Sequence, residues 1–73
     1  METEYLQTRF KVGEESFCCT VEKEHFLAKH FWAIEIMVES PAILEASIKI
    51  GDLHTPIQQR VMAGLQENLE TGD

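Results

Sequence analysis

Residues 23–39 read Lys-Glu-His-Phe-Leu-Ala-Lys-His-Phe-Trp-Ala-Ile-Glu-Ile-Met-Val-Glu, and the fold turns on whether all of this stretch is helix. It holds half of the chain's aromatic residues and its only tryptophan. Wound at about 100° per residue, it places Leu27, Phe31, Ile34 and Val38 on one line, with Phe26, His30, Ala33 and Met37 beside them. That is an apolar face wide enough to floor a small core. Trp32 and Ile36 fall elsewhere, on a stripe shared with His25 and Lys29. A helix uses one face for its own core, so a second apolar stripe predicts a surface for something else.

The competing reading makes Phe31–Glu39 a strand, with Trp32, Ile34, Ile36 and Val38 lining one face. The helical pattern is longer, because it takes in Phe26 and Leu27. Acids at Glu22 and Glu24 also suit a helix N-terminus. The expectation is one long helix over 23–39.

On the N-terminal side, residues 4–12 alternate, with Leu6, Thr8, Phe10 and Val12 facing one way and Tyr5, Gln7, Arg9 and Lys11 the other. This is the period of a half-buried strand. Gly13 permits a tight turn, and residues 16–22 alternate again, with Phe17, Cys19 and Val21 on one face. The pair predicts an antiparallel hairpin over about 4–22. An isolated hairpin is marginal in water, so its apolar face needs the following helix as a floor.

On the C-terminal side, Ser40-Pro41 should close the preceding element and open another. A helix over 41–50 is expected, stopped by Gly51, with Glu45 and Lys49 as an i,i+4 pair. Ala46–Ile50 also reads as a short strand, but helix is preferred. Thr55-Pro56 repeats the start signal, and Gln58 completes a Thr-x-x-Gln capping box. Over 56–70, Ile57, Val61, Met62, Leu65 and Leu69 share one arc. Gly64 interrupts this helix and leaves room for a close approach.

The expected architecture is therefore α+β: one small domain over 1–73, with an N-terminal hairpin packed on a long central helix and two shorter helices after it. Seventy-three residues bury a modest core, and chains of this size often lean on a partner or a second copy. Adjacent Cys18 and Cys19 offer no disulfide framework. No run of about 20 apolar residues spans a bilayer, and the acidic start lacks a signal peptide's order. A cytoplasmic protein with no membrane partner is expected.

Thirteen acidic residues against 6 basic ones give a net charge of −7. Direct nucleic-acid binding is disfavoured, because affinity there comes mostly from neutralising phosphate. Residues 41–70 still have the outline of a helix-turn-helix, with Gln58, Gln59 and Arg60 at the start of the second helix. A nucleic-acid-associated transcriptional regulator using that pair is the alternative reading. Against it, Arg60 is the sole base of that helix, and Glu67 and Glu70 would repel phosphate.

Cys18, Cys19, His25 and His30 do not form a metal set. Adjacent strand cysteines point to opposite faces, and helical His25 and His30 would lie about 140° apart round the axis. Nothing resembles a nucleophile elbow or a phosphate-binding glycine loop, so no enzyme, metal or cofactor is expected. The stripe of His25, Lys29, Trp32 and Ile36 predicts a seam for another protein, one with a basic surface, or for a homodimer, with tryptophan as anchor. Glu14, Glu15, Glu35 and Glu39 are the expected charged rim. In size and acidity the chain is similar to the small proteins that phages and mobile elements use to block host or defence machinery, anti-CRISPR proteins among them. The likeness covers no motif; it is one of class. It implies a non-catalytic inhibitor or regulator that blocks a partner's surface.

Overall fold

A computed structural model, which describes residues 2–71, shows a four-stranded antiparallel sheet in the order β1-β2-β3-β4, with a long C-terminal helix packed on it. The elements are β1 (Tyr5–Val12), β2 (Glu15–Glu22), a short α1 (Lys23–Ala28), β3 (Glu35–Glu39), β4 (Ala46–Lys49) and α2 (Thr55–Thr71). Two 3-10 turns, Phe31–Ala33 and Ile50–Asp52, precede β3 and follow β4.

The hairpin forms through a two-residue connection, Gly13-Glu14, between the paired Val12 and Glu15. Gly13 sits at φ +64. Glycine at the first central position is the pattern of type II′ hairpin turns, whose twist matches that of the flanking strands. Leu6, Phe17, Cys19 and Val21 face the core, and Phe10 stacks on Phe17 with ring centroids 5.5 Å apart.

The long helix over 23–39 does not form, and neither does the helix over 41–50. Helix α1 stops after one and a half turns, because Lys29 and His30 are both extended. From Ile34 onward the alternation decides: Ile34, Ile36 and Val38 are buried, while Glu35, Met37 and Glu39 are not. β-Branched residues every second position fit a pleated surface better than a helix. The deciding contact is tertiary, since β2 offers a free edge and takes β3 in the register Cys19↔Val38 and Thr20↔Met37.

The Ser40-Pro41 signal is locally real but short. Ser40 Oγ accepts the Ile43 N–H (3.1 Å) and its carbonyl accepts the Leu44 N–H (2.8 Å), as at a helix start. The turn then ends at Leu44, whose φ of +67 is left-handed, and the chain reverses into β4. Ala46 and Ile48 pair with Val38 and Ile36, which takes the strand reading of 46–50 over the helical one. Glu45 and Lys49 therefore make no helical pair.

Helix α2 forms as its periodicity predicts. Val61 and Leu65 are fully buried, and Ile57, Met62 and Leu69 pack around them. Gly64 meets Thr8 of β1 so closely that a Cβ there would overlap Thr8 Oγ1 and stand 2.6 Å from Thr8 Cβ. Gln58 does not close a capping box on Thr55; its amide donates to the carbonyls of Leu53 (2.7 Å) and Gly51 (3.3 Å), tying the helix start to the preceding turn. The helix also shields the outer edge of β1. Asn68 Oδ1 accepts the Gln7 N–H (3.1 Å), and Arg60 donates to the Lys11 carbonyl (3.4 Å). Among the described residues, no helix is long and apolar enough to cross a membrane.

Candidate interaction site

Trp32 stands where the broken segment leaves it, in the 3-10 turn between α1 and β3. The turn sits between two fixed ends: α1 stops at Ala28 with Phe26 buried, and Ile34 points into the core at the start of β3, which the edge of β2 holds in place. Ala33 N–H closes on His30 O (2.9 Å) and Ile34 N–H on Phe31 O (3.4 Å). Ile50 N–H then bonds Ile34 O (2.9 Å), which stitches this turn to the one after β4.

The two turns meet at Gly51. A Cβ on Gly51 would lie 2.9 Å from Trp32 O and 3.4 Å from Trp32 Cα and Cβ, so only glycine allows the approach. The Phe31 ring meets the indole edge-on, with centroids 4.7 Å apart and planes at 70°. Trp32 thus has a clamped backbone and a side chain that is 64% exposed. Leu27, on the outer side of α1, is exposed to nearly the same degree.

The other expected contact residues scatter. Ile36 is 1% exposed, in the middle of β3, so its side chain is not available at the surface. The four-residue stripe of His25, Lys29, Trp32 and Ile36 required a helix and does not exist. His25 pairs through Nδ1 with Glu22 Oε2 (2.9 Å), and Lys29 is exposed at the end of α1. Glu14 and Glu15 sit at the hairpin turn, the opposite end from α1 and roughly 25 Å along eight-residue strands. Glu35 and Glu39 lie on the uncovered face of the sheet, opposite Lys49 and Cys18 respectively.

That uncovered face carries a second feature which sequence reasoning missed. A shallow groove of about 640 Å³ is lined by Arg9, Lys11, Cys18, Glu39, Pro41 and Leu44, among others. Leu44 is 79% exposed in its left-handed conformation. A bulky side chain held there is strained, and no local sequence signal marks it.

The cysteines divide as strand neighbours must. Cys19 is buried, and burial, reinforced by the neighbouring Cys18, pushes its thiol from 9.0 up to about 12. Cys18 is half-buried on the groove face. Among the described residues, no three His, Cys, Asp or Glu side chains gather as a metal site.

The helix-turn-helix outline fails for want of its first helix. Of the three residues offered to bases, Gln58 and Arg60 bind backbone carbonyls within the chain, and Arg60 also lies over the Phe10 ring at 6.0 Å. No family model, curated protein or solved structure matches the chain.

Proposed function

We propose that this chain is a non-catalytic, acidic protein-binding module that acts by occupying a partner's surface, with Trp32 as its anchor. The observation that supports it is an exposed indole on a backbone clamped by Gly51, Phe31 and the Ile50–Ile34 hydrogen bond. Single exposed apolar residues are ordinary on any surface. A tryptophan on a held turn differs, because the backbone that presents it need not be ordered on binding, and tryptophan is among the residue types most enriched at interface hot spots. The charge of −7 favours a partner with a basic surface, steering the encounter rather than holding the complex. Cys18 and Cys19, on opposite faces of β2, fit a reducing compartment such as the cytoplasm. The inhibitor role is supported only by the likeness in size and acidity to phage and mobile-element proteins.

The test compares wild type with Trp32→Asp. Proteins captured from a lysate by wild type are purified, and their affinities for both forms are measured by calorimetry. Trp32→Asp should stay folded by circular dichroism and lose about 30-fold or more in affinity, the scale of a hot-spot residue. A partner bound equally by both forms would remove Trp32 from the interface. A variant that fails to fold would return Trp32 to the core and end the proposal.

A further inference from the structure

The two edges of the sheet are treated differently. Side chains of α2 bond the backbone of β1 at Gln7 and Lys11, whereas β4 ends the sheet on the other side with no strand beyond it among the described residues. The direction of its backbone groups comes from the register. In a strand, a residue's N–H and C=O point to one side and its neighbours' to the other. Gln7 N–H points away from β2, so Thr20 opposite it turns toward β3, and Met37 opposite Thr20 turns toward β2. Ser47, opposite Met37, therefore directs its N–H and C=O out of the sheet, as does Lys49. The bond from Ile50 N–H to Ile34 O gives the same phase independently.

Residues 45–49 read Glu-Ala-Ser-Ile-Lys, with opposite charges equidistant from Ser47. We infer that β4 is a self-association edge: two copies pair β4 to β4 antiparallel about a two-fold axis at Ser47, joining their two four-stranded sheets into one continuous sheet. In that register Ala46 faces Ile48 twice, and Ser47 exchanges both backbone hydrogen bonds with its counterpart. Glu45, in the bend just before β4 with its own N–H on the Ile43 carbonyl (2.9 Å), brings only its side-chain charge toward Lys49 of the second copy. An isologous contact requires such self-complementarity, since each patch must match itself. Shortness and a lysine ordinarily blunt an edge against pairing. Here Glu45 complements that lysine in this register, while an axis at Lys49 would oppose two lysines. The inference is independent of the role given to Trp32. A contact between two four-residue strands predicts a weak dimer that forms with rising concentration.

The test is light scattering after size exclusion on the full chain, from micromolar to millimolar concentration. Folding of every variant is checked by circular dichroism. Wild type should approach twice the 8.4 kDa chain mass as concentration rises. Lys49→Glu makes both cross-copy pairs repulsive, besides facing Glu35 of its own chain, and should weaken association by about tenfold or more. Combining it with Glu45→Lys restores both pairs and should recover most of that loss. Ser47→Pro deletes an outward N–H that the β3 ladder does not use, and should give a folded monomer. Amide exchange at Ser47 should slow as wild-type concentration rises. A wild type that is monomeric throughout overturns the inference. So does a dimer that Lys49→Glu leaves intact, or one abolished by Trp32→Asp but not by Ser47→Pro.

Discussion

Gly64 sets two physical rules against each other, and the structure decides between them. Glycine inside a helix is about 1 kcal/mol worse than alanine, so from the helix alone Gly64→Ala should stabilise the protein. The packing predicts the reverse. The new Cβ would stand 2.6 Å from Thr8 Cβ and overlap Thr8 Oγ1. Turning the threonine side chain moves the hydroxyl but not Cβ, so helix and strand must part by about 1 Å to reach an ordinary carbon contact. Val61 and Leu65, on either side of Gly64 along the helix, are fully buried and would lose part of their contacts as the gap opened. Overpacking of this kind costs about 1–3 kcal/mol, and the size of the overlap places Gly64→Ala at the upper end. Subtracting the propensity gain leaves a net loss of about 2 kcal/mol, or a fall of about 10 °C in Tm for a domain of this size. Urea unfolding followed by circular dichroism in the helix band gives the difference directly if the m-value is unchanged. Combining Gly64→Ala with Thr8→Gly removes the obstacle and should recover much of the loss. A Gly64→Ala protein as stable as wild type would show that α2 does not cross β1 at Thr8.

Single positions elsewhere give equally definite outcomes. Leu65→Ala, at a fully buried site, should cost about 2–5 kcal/mol, and a urea midpoint close to wild type would contradict the core assignment. Leu44→Asn should stabilise by about 1 kcal/mol, because asparagine tolerates the left-handed backbone at φ +67 and little leucine burial is lost. A destabilised Leu44→Asn would mean the leucine makes contacts that outweigh its strain. Because folding raises the Cys19 pKa from 9.0 to about 12, the folded state keeps a proton that the unfolded state releases. Its contribution is whole below pH 9 and is lost as pH rises toward 12, so the fall in stability across that window should be smaller in Cys19→Ala. Equal slopes in the two proteins would contradict the burial of that thiol.

The parts of the fold that were legible in the sequence are those whose pattern has only one solution. Alternation on both sides of Gly13 admits a hairpin and little else, and the apolar arc from Ile57 to Leu69 admits only a helix. Ser40-Pro41 was legible as a start signal but not in extent. One turn satisfies Ser40 fully, and the path of the chain beyond Leu44 depends on whether β3 is there to pair with. Residues 23–39 failed because both periods fit them: Ile34 and Val38 lie on one face of a helix and on one face of a strand. Only the free edge of β2 separates the two, and that edge is distant in sequence, Cys19 pairing with Val38.

The stripe was misread for the same reason, and of its two apolar residues only Trp32 is exposed. Trp32 and Ile36 are four apart, so a helix puts both on one stripe, and a continuous strand also puts both on one face. The structure does neither, because a 3-10 turn over Phe31–Ala33 separates the tryptophan from the strand that carries Ile36 inward. Only a break between them allows one to be buried and the other exposed. Gly51 makes that break stable by admitting the backbone of Trp32 where any side chain would collide. The glycine expected to stop a helix instead holds the tryptophan in place. If Trp32 is the anchor proposed above, Gly51→Ala should weaken binding of the captured protein, and it should shift the Trp32 fluorescence as the turn moves. Unchanged affinity together with unchanged fluorescence would show that the clamp is not what presents the indole.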